Sequence, residues 1–219
     1  TNDDILDSAI PTWLHGLGAT GYQPPLVGRM HSLGPEQMRG YVQRPIGAHS
    51  PTWPGVHRRS LGVLKNTNSP LVDSITKSGV GQSSYQVMDQ DILAQSLSFL
   101  KNYADSDRAE PFCLSVSFML PHAPYVANQE DFDAVKDAVQ PPSQPQPSNN
   151  EHPWIRTWRE AKEISATSTE DVMRARRGYY GLLTRHDPHP SRLGDHCERQ
   201  PEKTSTHLVT DDGEIIRLI

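Results

Sequence analysis

An α/β fold with a mainly parallel sheet flanked by helices is predicted by three observations. Met88, Ile92, Leu93, Leu97, Leu100 and Tyr103 recur at three- and four-residue spacing, the stripe of a helix packed on a sheet. The run Phe112-Cys113-Leu114-Ser115-Val116-Ser117-Phe118-Met119-Leu120 has strand length and β-prone residues, and its near-continuous apolarity predicts a central strand covered on both faces. Along the chain, the order helix, strand, excursion, helix, strand, helix, strand is the alternation of such a sheet.

From Ile10 the pattern reads as a helix, with Pro11 in its first turn, Trp13, Leu14 and Leu17 as its apolar face, and Gly18 and Gly21 at its end. Pro25 to His31 begins apolar and turns polar, as a buried strand does on emerging at a sheet edge. Residues 32–87 are richer in Gly, Pro, Ser and His than in periodic apolar positions, and read as a long excursion. After the Met88 helix and the Phe112 strand comes a proline-rich connection, 140–153, because proline removes the donors that helices and interior strands need. A further helix starts near Ser168, with Asp171 at capping-box spacing, and stops before Pro188. Thr206 to Thr210 reads as a strand feeding Asp211-Asp212-Gly213-Glu214. The whole of 1–219 is expected to form a single partial domain.

Composition narrows the function. Of 219 residues, 19 are proline, against a usual share of roughly 5%, so much of the chain is loop and helical bundles are disfavoured. The formal charge is -5 and the basic residues are scattered, which argues against a nucleic-acid partner. The Phe112 to Leu120 stretch falls far short of the roughly 18 apolar residues of a membrane span, and no span is expected. Cys113 and Cys197 are too few for a disulfide framework. The start, Thr1-Asn2-Asp3-Asp4, lacks the basic and apolar segments of a secretory signal, and the chain reads as processed or truncated.

In α/β sheets, ligands bind beyond the carboxyl ends of the strands. Arg29 and His31 follow the first strand, His122 the second, and Asp211 and Asp212 the third. A guanidinium, two imidazoles and two carboxylates at one rim suit a divalent cation together with an oxyanion, and hence a phosphate or sulfate ester. A lone strand-end histidine is more often structural, so the inference rests on the set.

Four segments in this order resemble the sulfatase family. Ala19-Thr20-Gly21-Tyr22 through Gly28-Arg29-Met30-His31, followed by Leu33-Gly34-Pro35-Glu36-Gln37, resembles its "aGY-x-T-x-x-x-GK-x-H" pattern. Pro121-His122-Ala123-Pro124-Tyr125 resembles "PH-x-PY", Arg174 to Gly181 resembles "R-x-x-YY-x", and Thr206 to Glu214 is similar to a "TLVIFTSDHGE" strand and metal loop. The match spans most of the chain but is poor over 185–203. The first segment is most similar to choline-sulfatase-like members, with arylsulfatase-like ones beside them.

The resemblance implies an alkaline-phosphatase-like fold, this chain being part of a sulfatase N-terminal catalytic domain. It implies a hydrolase that cleaves a small-molecule sulfate ester by metal-assisted displacement. Asp211 and Asp212 would be ligands of a divalent metal, Ca2+ foremost with Mn2+ or Mg2+ as alternatives. His122 would contact the ester and assist the leaving group, His31 would assist the nucleophile, and Arg29 would bind the sulfate in place of the family's usual lysine.

Two departures follow. Asp212 stands where the family has histidine or asparagine, and no formylglycine precursor of the C/S-x-P-S-R type is visible, since Pro188-His189-Pro190-Ser191-Arg192 has proline at the nucleophile position. The resemblance therefore implies an internal fragment, inactive alone, with a non-catalytic degenerate remnant or a phosphonate or phosphodiester hydrolase of the same superfamily as alternatives.

Three other features read as structural. His186, His189, His196 and Cys197 fit no zinc signature. Trp154 and Trp158 are expected to pack against the domain. Arg174, Arg176 and Arg177 are expected to be solvated or locally ion-paired.

Overall fold

The computed structural model describes residues 5–30, 36–47, 72–106, 112–143, 151–186, 193, 208–209 and 215–216. The chain divides into two compact units, one formed by Thr1–Val63, Gln86–Met119 and Pro188–Ile219, the other by Leu64–Tyr85 and Leu120–Asp187.

In the first unit, β1 (Pro25–Gly28) is the middle strand of a parallel ladder, flanked by β2 (Gln43–Ile46) and β4 (Ser115–Ser117). All four β1 residues are buried, as both-face coverage of a parallel strand requires. Only Ser115–Ser117 of the Phe112 to Leu120 run are strand, and β4 ends the described ladder.

Helix α1 (Trp13–Ala19) begins three residues later than expected, with Thr12 as its N-cap and Pro11 outside. The Thr12 amide donates to Nδ1 of His15, the N3 residue, at 3.0 Å, so the first turn is closed from the side chain of residue 15. Of the expected apolar face, Leu14 is buried against Leu26 and Tyr41, whereas Trp13 is exposed.

Helix α3 (Ser84–Ala104) carries the predicted stripe. Met88, Ile92, Leu93 and Leu100 are buried, and Asp89 and Ser96 share that burial although both are polar. Ser96 resolves its hydroxyl by donating back to the Ile92 carbonyl at 2.7 Å.

The second unit contains α2 (Asp73–Thr76) and β3 (Gly79–Val80), and β3 pairs in parallel with β5 (Val126–Ala127). Together with β2, α2 and β3 occupy stretches assigned to the 32–87 excursion. Each is two to four residues long, too short to show periodicity, and β2 contains Pro45, a residue confined to edge strands. Helix α4 (Gln129–Ala134) is capped by Asn128, whose side chain accepts from the Asp131 amide at 2.8 Å.

Helix α5 (Pro153–Ala161) takes Pro153 into its first turn, so the proline-rich connection ends one residue earlier than expected. It buries none of its residues, and Trp154 and Trp158 are exposed instead of packed. A single 3₁₀ turn, Ile164–Ala166, precedes α6 (Thr169–His186). The start of α6 is the predicted capping box: the Asp171 amide donates to Ser168 Oγ at 3.0 Å, and the Ser168 amide to Asp171 Oδ2 at 3.3 Å.

The three arginines of α6 tie it to its own unit. Arg174 donates to the Ser78 and Thr76 carbonyls and pairs with Asp171, Arg176 donates to the Gln140 carbonyl, and Arg177 donates to the Phe132 carbonyl and pairs with Asp133. Local ion pairing is therefore as expected, with the addition that carbonyls at the ends of α2 and α4 are satisfied by α6.

The expected Thr206 to Thr210 strand is β6 (Leu208–Val209), which pairs antiparallel with β7 (Ile215–Ile216), a pairing not foreseen from the alternation. The His189, His196 and Cys197 positions and the Pro188 to Arg192 passage lie outside the described residues, save for the helical backbone at His186. Among the described residues no helix is long and apolar enough to cross a membrane.

Candidate functional site

Arg29 leaves the carboxyl end of the middle strand, where β1 and β4 run in the same direction. Its guanidinium-bearing side chain is buried, an expensive position for a cation. The preceding residue has to be glycine. Gly28 has φ +105, and a Cβ there would overlap the Ser117 carbonyl oxygen and approach Ile92 Cδ1 to 2.8 Å. The Arg29 amide donates to that same Ser117 carbonyl at 3.0 Å, and the Gly28 carbonyl accepts from Arg44 Nε and Nη2 at 3.2 and 3.0 Å. Both polar groups of the 28–29 peptide are thus occupied.

Arg44 is itself buried, and burial pushes its guanidinium down to about 10, an effect that Tyr41 partly opposes. It stays charged at neutral pH. Tyr41 donates to Ser115 Oγ at 2.9 Å, and burial raises its phenol above the ordinary value in spite of that bond. Cys113 is a free thiol just before β4, and burial raises its pKa as well, the opposite of what an activated nucleophile requires.

Past β4, the chain is fixed by α3. The buried amide of Met119 donates to Oδ1 of the fully buried Asp89 at 2.7 Å, a bond that anchors the strand exit.

His122 lies in the second unit, between two cis peptide bonds, Leu120-Pro121 and Ala123-Pro124. Its ring is exposed and meets the buried ring of Tyr85 edge-on, with centroids 5.5 Å apart and planes at 76°. Nδ1 lies 2.8 Å from the Ala123 carbonyl oxygen. A carbonyl only accepts, so Nδ1 carries the proton and Nε2 is the nitrogen that gains and loses one. A histidine held this way is suited to proton transfer at Nε2.

Arg29 belongs to the first unit and His122 to the second, while His31, Asp211 and Asp212 lie outside the described residues. Among the described residues no group of three or more His, Cys, Asp or Glu side chains could hold a metal ion. Arg44, Tyr85 and Asp89 were missed by sequence reasoning. A signal existed for Asp89, which shares the spacing of Ile92, Leu93 and Ser96, so a carboxylate there interrupts an apolar stripe. Arg44 sat in a stretch without periodicity.

No family model matches the chain. It is 29% identical over 223 residues to a choline-sulfatase of Rhizobium meliloti (strain 1021). The chain is homologous to a choline-sulfatase. The similarity takes in 95% of this chain but 43% of that relative, so the chain spans less than half the length of the choline-sulfatase it matches. In three dimensions it is similar to the crystal structure of a phosphonate monoester hydrolase of Agrobacterium radiobacter, with a TM-score of 0.62 and 14% identity, covering 96% of this chain and 48% of that one. That likeness shows that this chain shares the α/β fold of that hydrolase.

Proposed function

We propose that this chain carries the ester-recognition part of a hydrolase that cleaves small-molecule sulfate esters by metal-assisted nucleophilic displacement, and that it does not turn over substrate by itself. The observation that carries the reading is the similarity to a choline-sulfatase along 95% of the chain. Arg29 neutralises charge on the equatorial sulfate oxygens, a role that a guanidinium fills with paired donors. His31 assists the attacking group. His122 donates from Nε2 to the leaving oxygen, with Nδ1 held at the Ala123 carbonyl.

The reading assigns no nucleophile to this chain. Asp211 and Asp212 would hold the divalent ion, and two carboxylates are donors that calcium favours over softer metals. The ion, when bound, supplies Lewis-acid stabilisation of charge that develops on the ester.

A second reading, hydrolysis of phosphonate or phosphodiester substrates, is supported by the fold shared with a phosphonate monoester hydrolase. A panel of sulfate, phosphonate and phosphate esters, assayed on the full-length protein with and without chelator, separates the two. The first reading expects sulfate esters to be turned over fastest and chelator to abolish turnover. Faster phosphonate hydrolysis would transfer the assignment to the second. Measurable hydrolysis of a nitrophenyl sulfate by the 219-residue chain, lost in His122→Ala, would overturn the view that the chain is inactive by itself.

A further inference from the structure

We infer that Arg44 is a positioning residue for the anion site, acting through the Gly28–Arg29 peptide; the inference rests on the assignment of Arg29 to the ester. In a parallel ladder, a strand's carbonyls are ordinarily met by amides of its neighbour. Here β2 contains Pro45, which has no amide hydrogen, and the β1–β2 register shifts between Pro25 and Val27. The Gly28 carbonyl, the last of β1, is met by a side chain instead: Arg44 brings Nε and Nη2 to it at 3.2 and 3.0 Å.

The other half of the same peptide, the Arg29 amide, is held by the Ser117 carbonyl at 3.0 Å. A peptide gripped at its oxygen and at its hydrogen cannot rotate about its flanking bonds, so the direction in which residue 29 leaves the strand is set. Gly28, at φ +105, supplies a bend with little stiffness of its own, which is why an external clamp is needed there. Arg44 is buried on β2 and reaches its target across sixteen positions of sequence, so its planar fork performs a role that a flexible point charge performs less well.

The test uses the 219-residue chain and inorganic sulfate, with binding measured by isothermal titration calorimetry, the Arg29 Nε–H signal recorded in nitrogen-15 spectra wherever Arg29 is present, and a thermal midpoint recorded for every variant. Arg29→Met is expected to abolish the sulfate response. Arg44→Met is expected to weaken sulfate binding at least tenfold, and Arg44→Lys, which keeps one donor nitrogen in place of two, to weaken it less, with the Arg29 signal displaced in both before any sulfate is added. A purely structural role would lower the midpoint in proportion and leave the affinity of the folded fraction unchanged. Wild-type affinity in a folded Arg44→Met chain, while Arg29→Met has lost it, would overturn the inference and leave the functional reading standing. If Arg44→Met does not fold, Arg44→Lys decides: a threefold or greater loss at unchanged midpoint supports the clamp, and wild-type affinity refutes it. Undiminished sulfate binding in Arg29→Met would remove the functional reading and the inference with it.

Discussion

At Gly28 the requirements of backbone and packing coincide, because a positive φ and a missing Cβ are both needed where β1 passes the Ser117 carbonyl and Ile92. Gly28→Ala is expected to destabilise the chain by about 3 kcal/mol or more, since strain and overlap add and the obstructing atom is backbone. Urea denaturation checks this, and a loss below about 1 kcal/mol would mean that the strand exit is looser than described. His122 shows the same economy of parts. One carbonyl contact at Nδ1 selects the tautomer, and the neighbouring Tyr85 ring lies edge-on to the imidazole.

Among the elements, the helices separate intrinsic propensity from packing. In α1, Gly16 has open space where a Cβ would lie, and Gly16→Ala is expected to stabilise by up to about 1 kcal/mol. In α6, a Cβ on Gly178 would overlap the Tyr125 carbonyl oxygen and reach its carbon at 3.1 Å, so Gly178→Ala should cost about 2 kcal/mol despite the same gain in propensity. Thermal unfolding of the pair checks both signs. The capping box of α6 adds a pH dependence. Hydrogen bonds from Ser168, then Arg174, hold the Asp171 carboxyl below its ordinary value, so its contribution is complete above about pH 4 and declines as pH falls through the lowered value. Ser168→Ala should therefore lower stability at neutral pH and narrow its gap to wild type in acid, as unfolding curves at a series of pH values will show.

For the molecule as a whole, the parallel sheet and its helices were legible because they rest on repeated signals. The Met88 stripe and the Ser168 capping box each involve several residues that agree. The short strands β2 and β3 were not legible, because two to four residues give no period, and Pro45 argues locally against the strand it occupies. Trp154 and Trp158 were misread because four-residue spacing shows that two side chains share a helix face, not that anything covers it. Of the candidate site, the sequence carried Arg29, His31, His122, Asp211 and Asp212 through the motif resemblance, whereas the supports Arg44, Tyr85 and Asp89 act across long sequence separations that no local pattern records.

The proposal that Arg29 binds the anion of the ester is tested most directly by titrating inorganic sulfate into the isotopically labelled chain while following the Arg29 Nε–H signal. The account predicts that the signal moves saturably with sulfate and does not move with chloride at equal ionic strength. A silent signal, or one that responds equally to both salts, would contradict it.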